Sequence, residues 1–430
     1  MVAFFGGKSK KMYLCRFNGS VMRLVGRILV TYLVLLLLFT GAVVWVHHIP
    51  RSEIEGNLRL SVQEVVTDGQ MFTWQVSFLQ PHIIGVFTEC LMLDIAYCAD
   101  TEHPMRSAME NQFMTADSSP VAGIQTLLCD PDDPHLQPIV YSRYWHGSQC
   151  LLRPLLRVTT MRGIRMFNIF LLSLLLIATT AVMIMRLGTR DALIISLSLL
   201  LVMVPSVPLC LNYVPTFTIA LLASLLILLW ERPTATRGDA VVLFFIIGAV
   251  TAFMDLLTTP LVAMAVPLAV YMLLRRPDDA CRTLMVMAVA WFAGYALLWA
   301  SKWALAALVT DFDVFGDAMG AVTQRTVGNG EQDYMLWCLT RTVGIIAAVT
   351  LLTAAATWLL GDARQALKRN GWMLLLAASG FVWALVLLEH TWHHLHFTWR
   401  TVVVTLIGIL LFLSHSREEL TATPRRGPTN

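Results

Sequence analysis

Long apolar stretches are the feature that most constrains how this chain can fold. About ten segments of mostly apolar residues recur along the 430 residues, each close to the ~20 residues with which a helix crosses a bilayer. Charged residues make up 14% of the chain, against roughly a quarter in soluble proteins. The pattern predicts an all-α polytopic membrane protein with about ten transmembrane helices. It excludes a water-soluble enzyme, a disordered scaffold and a nucleic-acid-binding protein. The predicted spans are 28–48, 166–185, 192–210, 214–230, 240–258, 260–274, 283–303, 337–360, 371–389 and 398–414.

Basic residues predict the orientation of these spans. The N-terminal segment 1–27 is rich in Lys and Arg, and so are the short loops that follow every second span. Because cytoplasmic loops carry an excess of Lys and Arg, we expect both termini in the cytoplasm and the protein in the cell (plasma) membrane. The apolar core of span 28–48 is longer than that of a signal peptide, and His47 to Pro50 follow it instead of small residues. This span is therefore predicted to be an uncleaved signal anchor.

Polar residues concentrate on the extracytoplasmic side of the predicted topology. The segment 49–165 forms one large loop between the first two spans, and 304–336 and 389–398 form shorter ones. A nine-helix transmembrane region, 166–414, and a cytoplasmic tail, 415–430, complete the organisation. The tail is predicted to be disordered. We expect the functional site on the extracytoplasmic face.

Four of the eight cysteines lie in the large loop. An even number of cysteines in an oxidising compartment favours disulfides, with three connectivities open, and the alternative is four unpaired thiols. The disulfide candidates are Cys90, Cys98, Cys129 and Cys150.

Two carboxylates stand in apolar surroundings. Glu89 opens a short apolar segment in the large loop, where it could act as a general base toward an acceptor hydroxyl, or serve as an ordinary surface acid or helix cap. Asp255 falls in the outer part of span 240–258, and Pro260 follows it. Ionisable residues inside spans usually face a cavity or a partner, so Asp255 either shapes a site or forms an ion pair between helices.

Arginine, lysine and aromatic residues recur at the outer ends of the spans. Arg143 is followed by Tyr144, Trp145 and His146, a combination suited to sugar stacking and phosphate binding as well as to anchoring at the bilayer surface. Lys302 and Arg325 could meet a phosphate or simply extend toward water. Further basic residues of this kind are Arg153 and Arg400.

Four histidines crowd the segment between residues 390 and 396. His390 and His394 have the i,i+4 spacing of two helical metal ligands, so one interpretation is a divalent metal ion, zinc or another. The alternatives are hydrogen bonding to substrate and packing at the interface. No other cofactor is expected.

These segments together resemble a large bacterial family of membrane proteins with the GT-C glycosyltransferase architecture. The family motif T-D-x-x-M-L aligns with residues 88–93, R-Y-W-H-G with 143–147 and R-P-L-L with 153–156. A motif F-D-F-L-T-x-P-L aligns with residues 254–261. A further motif that ends in K-W aligns with a stretch ending at Trp303, and another that ends in F-T-Y-R aligns with a stretch ending at Arg400.

The resemblance implies a polyprenyl-phosphate-linked sugar donor and a cell-envelope glycan or glycolipid acceptor. It places the catalytic carboxylate at Glu89, where this chain has Glu instead of the family's Asp, and catalysis is sensitive to the added methylene. Asp255 would help to shape the site. The implied donor-phosphate ligands are Arg143, Arg153, Lys302, Arg325 and Arg400. The implied substrate-binding residues are Tyr144, Trp145, His146, His394 and His396.

The sequence thus predicts an integral membrane glycosyltransferase acting on the extracytoplasmic face. A transporter or flippase for a lipid-linked saccharide is the first alternative. Transporters often contain repeated halves, and this sequence has no internal repeat, which favours the enzyme. A sensor or assembly subunit with structural outer motifs is the second alternative.

Overall fold

The computed structural model of the protein describes residues 7–71, 85–230, 232–326 and 363–422. Over these ranges the chain is mostly helical, with connecting loops, short 3-10 turns and one two-stranded antiparallel sheet. In chain order the elements are α1 Gly7–His47, α2 Arg51–Met71, α3 Val86–Tyr97, α4 Pro104–Glu110, β1 Phe113–Thr115, α5 Pro120–Cys129, β2 Gln137–Ile139, α6 Gln149–Leu156, α7 Met161–Leu187, α8 Thr189–Met203, α9 Val214–Leu229, α10 Arg237–Met254, α11 Pro260–Arg275, α12 Ala280–Val309, α13 Val314–Thr326, α14 Ala363–Val386, α15 Leu388–His393, α16 Leu395–Thr398 and α17 Val402–Ala422.

In the described ranges, six helices are long enough and apolar enough to cross a bilayer, rather than the ten expected. Helices α9 and α11 are apolar but have only 16 residues each. The predicted span 337–360 lies outside the described residues. The structure therefore agrees with an all-α membrane protein that has several spanning helices. The six segments are Val21–His47, Met161–Leu187, Arg237–Met254, Ala280–Val309, Leu367–Val386 and Trp399–Ser416.

Several helix ends differ from the predicted boundaries. Helix α8 ends at Met203, short of residue 210, because Pro205 disfavours a helical conformation at the residue before it. Helix α1 begins well before residue 28, and its 41 residues include much of the predicted basic tail. Helix α17 continues to Ala422, so the first part of the predicted disordered tail, 415–430, is helical.

The segment between α1 and α7 folds into a helical unit with its own core, which we call the 49–165 module. Buried Ile54 and Leu58 of α2 pack with Leu93 of α3 and Ile124 of α5 in one cluster. Strand β1 pairs with β2, with Phe113 opposite Ile139. The described parts of the predicted large loop, 49–71 and 85–165, are thus folded around one core.

Helices α10 and α12 cross in close contact through two glycines. A Cβ at Gly248 would lie 1.9 Å from the carbonyl oxygen of Trp291, and a Cβ at Gly294 would lie 2.0 Å from that of Phe245. Small residues allow such close approach between membrane helices. The crossing holds the C-terminal halves of α10 and α12 side by side at the end of the bundle that faces the 49–165 module.

Candidate functional site

Aromatic rings and two arginines gather around Tyr144, and we call this group the Tyr144 cluster. Its members are Tyr141, Arg143, Tyr144, Trp299 and Arg325. The Tyr144 ring stacks on Trp299 with centroids 5.8 Å apart and lies 5.6 Å from the ring of Tyr141. The guanidinium carbon of Arg325 lies 5.6 Å from the Tyr144 centroid, and that of Arg143 lies 4.9 Å from the Tyr141 centroid. Residues from the 49–165 module, α12 and α13 therefore meet at one place.

Helix α12 positions Arg143 through its backbone. The indole N–H groups of Trp299 and Trp303 donate to the Arg143 carbonyl at 2.6 and 3.1 Å. The Arg143 side chain is 23% exposed, and its Nε lies 3.4 Å from a carboxylate oxygen of Asp317 in α13. Arg325 is partly exposed and forms no ion pair with any described residue. The cluster thus presents two partly accessible cations beside aromatic faces.

His146 borders the cluster in a left-handed backbone conformation. Its φ is +52°, its ring is buried, and its centroid lies 5.2 Å from that of Tyr141. Neither ring nitrogen is in hydrogen-bond geometry with a described residue. Burial lowers the pKa of His146 to about 3, so the ring is neutral and offers one donor and one acceptor. A Cβ at the next residue, Gly147, would lie only 2.5 Å from the Phe253 carbonyl oxygen, so this approach requires glycine.

Asp255 lies directly after the last residue of α10. Its carboxylate accepts from the Thr216 hydroxyl at 3.1 Å and from the Thr258 backbone N–H at 3.1 Å, and the Thr258 hydroxyl also donates to it. Asp255 is buried. Burial raises the pKa of Tyr144, and the negative charge of nearby Asp255 adds to that rise. Asp255 is therefore a buried carboxylate in the electrostatic environment of the Tyr144 cluster.

Glu89 is fully buried in an ion-paired network. One carboxylate oxygen accepts from Arg165 Nη2 at 2.5 Å, and the other accepts from the Leu211 backbone N–H at 2.9 Å. Arg165 also donates to Asp68 at 2.6 Å. Burial raises the pKa of Glu89, and the charge of Arg165 opposes that rise. Both Glu89 oxygens are thus engaged inside the fold, as are both oxygens of buried Asp255.

Asp68 and Arg165 were not among the predicted site residues. Both lie in helices that flank the module core, in α2 and α7. The sequence did indicate that Arg165 needs a partner, because an arginine near the start of a long apolar helix requires an anion or water. The identity of that partner depends on the packing of α2 and α3 against α7.

Arg153 binds backbone carbonyls instead of an accessible anion site. Its guanidinium donates to Val46 at 2.9 Å and to Ile49 at 2.5 Å, and also to Ala96. The side chain is buried, and burial lowers its pKa to about 10. The expectation that Arg153 binds a donor phosphate is not met by this geometry, because the carbonyls already occupy all three of its nitrogens.

Lys302 is a second cation bound to a helix end. Its ammonium group donates to the carbonyls of Ala108 and Met109, both at 2.8 Å, at the C-terminus of α4. Cations stabilise helix C-termini in this way. Trp145 is also structural, since it is fully buried and its indole N–H donates to the Leu298 carbonyl at 2.8 Å. Lys302 and Trp145 thus both donate to backbone carbonyls of neighbouring helices.

Arg400 lies in the interior of the bundle. Its guanidinium carbon is 4.4 Å from the Tyr213 ring centroid, and it donates to the Ser206 hydroxyl. The residue is fully buried. Arg400 therefore joins α17 to the connection between α8 and α9, and it is not a member of the Tyr144 cluster.

The described residues of the histidine segment pack against each other and against the loop after α10. His390 Nε2 shares a hydrogen bond with the Leu257 carbonyl at 2.9 Å, and its ring lies 4.7 Å from that of His394. Among the described residues no three His, Cys, Asp or Glu side chains are grouped to bind a metal ion. The side chain of His396 lies outside the described part of the chain. The structure thus brings His390 and His394 together as packing partners.

The four candidate cysteines are free thiols, so the predicted disulfides are wrong in this structure. Cys90 is buried in α3, and the Cys98 thiol donates to Asp94 at 3.1 Å. Cys129 is exposed at the end of α5, and Cys150 lies in α6. The core of the module is apolar and closes without covalent links.

Comparison of the chain with protein-family models, with curated proteins and with solved structures finds no match.

Proposed function

We propose that the protein is an integral membrane glycosyltransferase. It would transfer a sugar from a polyprenyl-phosphate-linked donor to a cell-envelope glycan or lipid on the extracytoplasmic face. The observation that carries the proposal is the Tyr144 cluster, where two partly exposed arginines stand against aromatic rings. Buried Asp255 lies two residues after Phe253, whose carbonyl accepts from the Gly147 N–H of the same loop.

In this proposal Arg143 and Arg325 bind the donor phosphate. The guanidinium group presents a planar fork of N–H donors that matches phosphate oxygens. Phosphate leaves as an anion when the sugar is transferred, so the same cations stabilise the transition state as well as the bound donor. Of the five cations expected to act in this way, these two are the ones found in the Tyr144 cluster.

The sugar would bind against the exposed parts of the aromatic rings. Trp and Tyr faces provide apolar surface for a sugar ring, and neutral His146 can donate to one hydroxyl and accept from another. His146 has two buried ring nitrogens that no described residue satisfies, and unsatisfied buried polar atoms call for a partner.

Asp255 is our candidate for the general base that takes a proton from the acceptor hydroxyl. Asp255 lies two residues after Phe253, whose carbonyl accepts from the Gly147 N–H at 2.9 Å, so it is close in the chain to the contact with the loop that carries Arg143 and Tyr144. The neighbours of Glu89 are instead Arg165 and the Leu211 backbone. In this proposal Glu89 is a positioning residue that fixes α3 against α7. The family resemblance places the base at Glu89, so the two assignments must be separated by experiment.

The membrane arrangement is part of the same proposal. We propose ten spans with both termini in the cytoplasm and a GT-C-like fold. Helices α9 and α11, at 16 residues, would then cross as short apolar helices with local thinning of the bilayer.

The test is transfer of radiolabelled sugar from a panel of polyprenyl-phosphate donors by the full-length protein in nanodiscs. Arg143→Gln and Arg325→Gln should each weaken donor binding on the order of tenfold, since each removes charge-assisted hydrogen bonds. Asp255→Asn should abolish transfer and leave donor binding intact. Arg106→Gln, at an exposed ion pair of the 49–165 module, is the matched control.

The outcomes separate the alternatives. If Asp255→Asn transfers sugar at the full rate while a correctly folded Glu89→Gln variant does not, the general base is Glu89 and not Asp255. Donor binding without product, for every acceptor tried, would replace the enzyme by the transporter alternative. If Arg143→Gln and Arg325→Gln bind the donor as tightly as the control does, the Tyr144 cluster does not bind the donor phosphate.

A further inference from the structure

A large cavity opens at the end of the helix bundle opposite the Tyr144 cluster. Its volume is about 1430 Å³, and it is lined by the end of α7, the starts of α8 and α12, the end of α11 and parts of α14 and α17. Ligand pockets are typically ~300–1,000 Å³, so this cavity has room for a small ligand together with water.

Basic side chains dominate the lining of this cavity. The cations are Arg190, Arg276, Arg282, Lys368 and Arg369. Two of the three acidic residues in the lining have partners, because Asp191 lies 3.0 Å from His415 and 3.1 Å from Arg190, and Asp279 lies 2.7 Å from Arg237. The remaining acidic residue is exposed Asp278. The cavity therefore carries a positive charge.

Two helix N-termini open into the same cavity. Helix α8 starts at Thr189 and helix α12 at Ala280, and the residue before each helix makes no side-chain cap hydrogen bond. The first backbone N–H groups of a helix have no partner within the helix, and the helix dipole attracts negative charge to them. Both helices are long, at 15 and 30 residues.

A buried side-chain donor points to a ligand independently of the charges. Asn370 of α14 lines the cavity and is only 7% exposed, and its amide nitrogen has no acceptor among the described residues. Leaving such a donor unpaired costs free energy, so an acceptor atom is expected beside it. An anion with several oxygens would satisfy Asn370 and the helix N-termini together, in a lining that also carries Arg282 and Lys368.

We propose that this cavity binds a phosphate-bearing ligand, whose oxygens accept from the two helix N-termini, Asn370 and the surrounding cations. The shared chemistry is a phosphate mono- or diester, which either a soluble phosphate compound or an anionic lipid headgroup supplies. The site is separate from the Tyr144 cluster, and it does not depend on the glycosyltransferase proposal.

Two probes test the site with the full-length protein. Inorganic pyrophosphate is titrated calorimetrically into detergent-solubilised protein, and native mass spectrometry counts phosphatidylglycerol retained from nanodiscs, with phosphatidylcholine as the neutral comparison. Arg282→Gln and Lys368→Gln replace exposed cations of the lining, so folding should be unaffected. Arg232→Gln replaces an exposed arginine in the turn before α10, outside the lining, and serves as the control.

We expect at least one probe to bind, and each lining variant to weaken it on the order of tenfold while the control stays within twofold. Affinity should also fall as salt rises, because the contacts are electrostatic. Pyrophosphate binding alone identifies a soluble ligand, and phosphatidylglycerol binding alone identifies a lipid. Binding of neither probe, or equal affinity in the lining variants and the control, would overturn the proposal.

Discussion

The network of Asp68, Arg165 and Glu89 makes a quantitative prediction about stability. Arg165→Met removes the cation that lies 2.5 Å from Glu89 and 2.6 Å from Asp68, leaving two carboxylates without their buried partner. Removing one member of a buried ion pair costs about 3–5 kcal/mol of the free energy of unfolding. Glu89→Gln should cost less, about 1–2 kcal/mol, because Arg165 keeps Asp68 and the amide oxygen can still accept from the Leu211 N–H.

The double variant is the decisive measurement. Once Arg165 is Met, replacing Glu89 by Gln also removes an uncompensated buried charge, so the two losses should be less than additive by about 1–3 kcal/mol. The assay is denaturant unfolding of purified protein in detergent micelles, followed for all four members of the cycle. Arg162→Gln is the control, since Arg162 is largely exposed and lies 3.4 Å from Asp68. It should change stability by less than about 0.5 kcal/mol.

Additivity within about 0.5 kcal/mol would refute this account, since it would mean that Glu89 and Arg165 do not interact. The result also decides how activity data are interpreted. Loss of sugar transfer in Glu89→Gln is evidence for a chemical role only after the loss of stability has been measured.

Three further predictions concern the fold around the candidate site. Burial raises the pKa of Asp94 to about 7, so the folded state binds its proton more tightly than the unfolded state. Stability should therefore fall as pH rises from about 4 to 7, by up to roughly 4 kcal/mol, and Asp94→Asn should abolish that dependence in melting curves at pH 5 and pH 8. Lys302→Met leaves two buried carbonyls at the end of α4 unpaired and should cost about 1–3 kcal/mol, measured by the same denaturant assay. Gly294→Ala places a Cβ 2.0 Å from a backbone oxygen of α10 and should lower the melting temperature, whereas Gly26→Ala, with open space around it, should not.

The spanning helices were largely predictable, because hydropathy and length are local properties of the sequence. The folding of the 49–165 module was not, since helices α3 to α6 have between 7 and 12 residues and no long periodic pattern. The described ranges contain six helices long and apolar enough to span a membrane, fewer than the ten predicted spans. Helices α9 and α11 are apolar but only 16 residues long, and hydropathy alone does not show where such a helix ends.

The hydrogen-bond partners of the buried cations could not be predicted from the sequence. Arg153 and Lys302 were expected to bind phosphate, and they bind backbone carbonyls far away in the chain, such as Val46 and Ala108. Phosphate and carbonyl oxygens satisfy the same donors, so residue type cannot distinguish them. By contrast, the aromatic residues near Arg143 in the sequence predicted that its guanidinium would lie beside aromatic rings. In the structure it lies over the ring of Tyr141, two residues earlier.

The three carbonyls held by Arg153 have a mechanical consequence. Val46 lies in the last turn of the first membrane helix, Ile49 lies in the turn that leaves it, and Ala96 belongs to α3 of the module. One side chain of α6 therefore joins these parts into a single rigid body, and the module cannot swivel on α1 without breaking three buried hydrogen bonds. Any movement that opens the Tyr144 cluster must therefore come from other elements, while the module and the first helix tilt together in the bilayer.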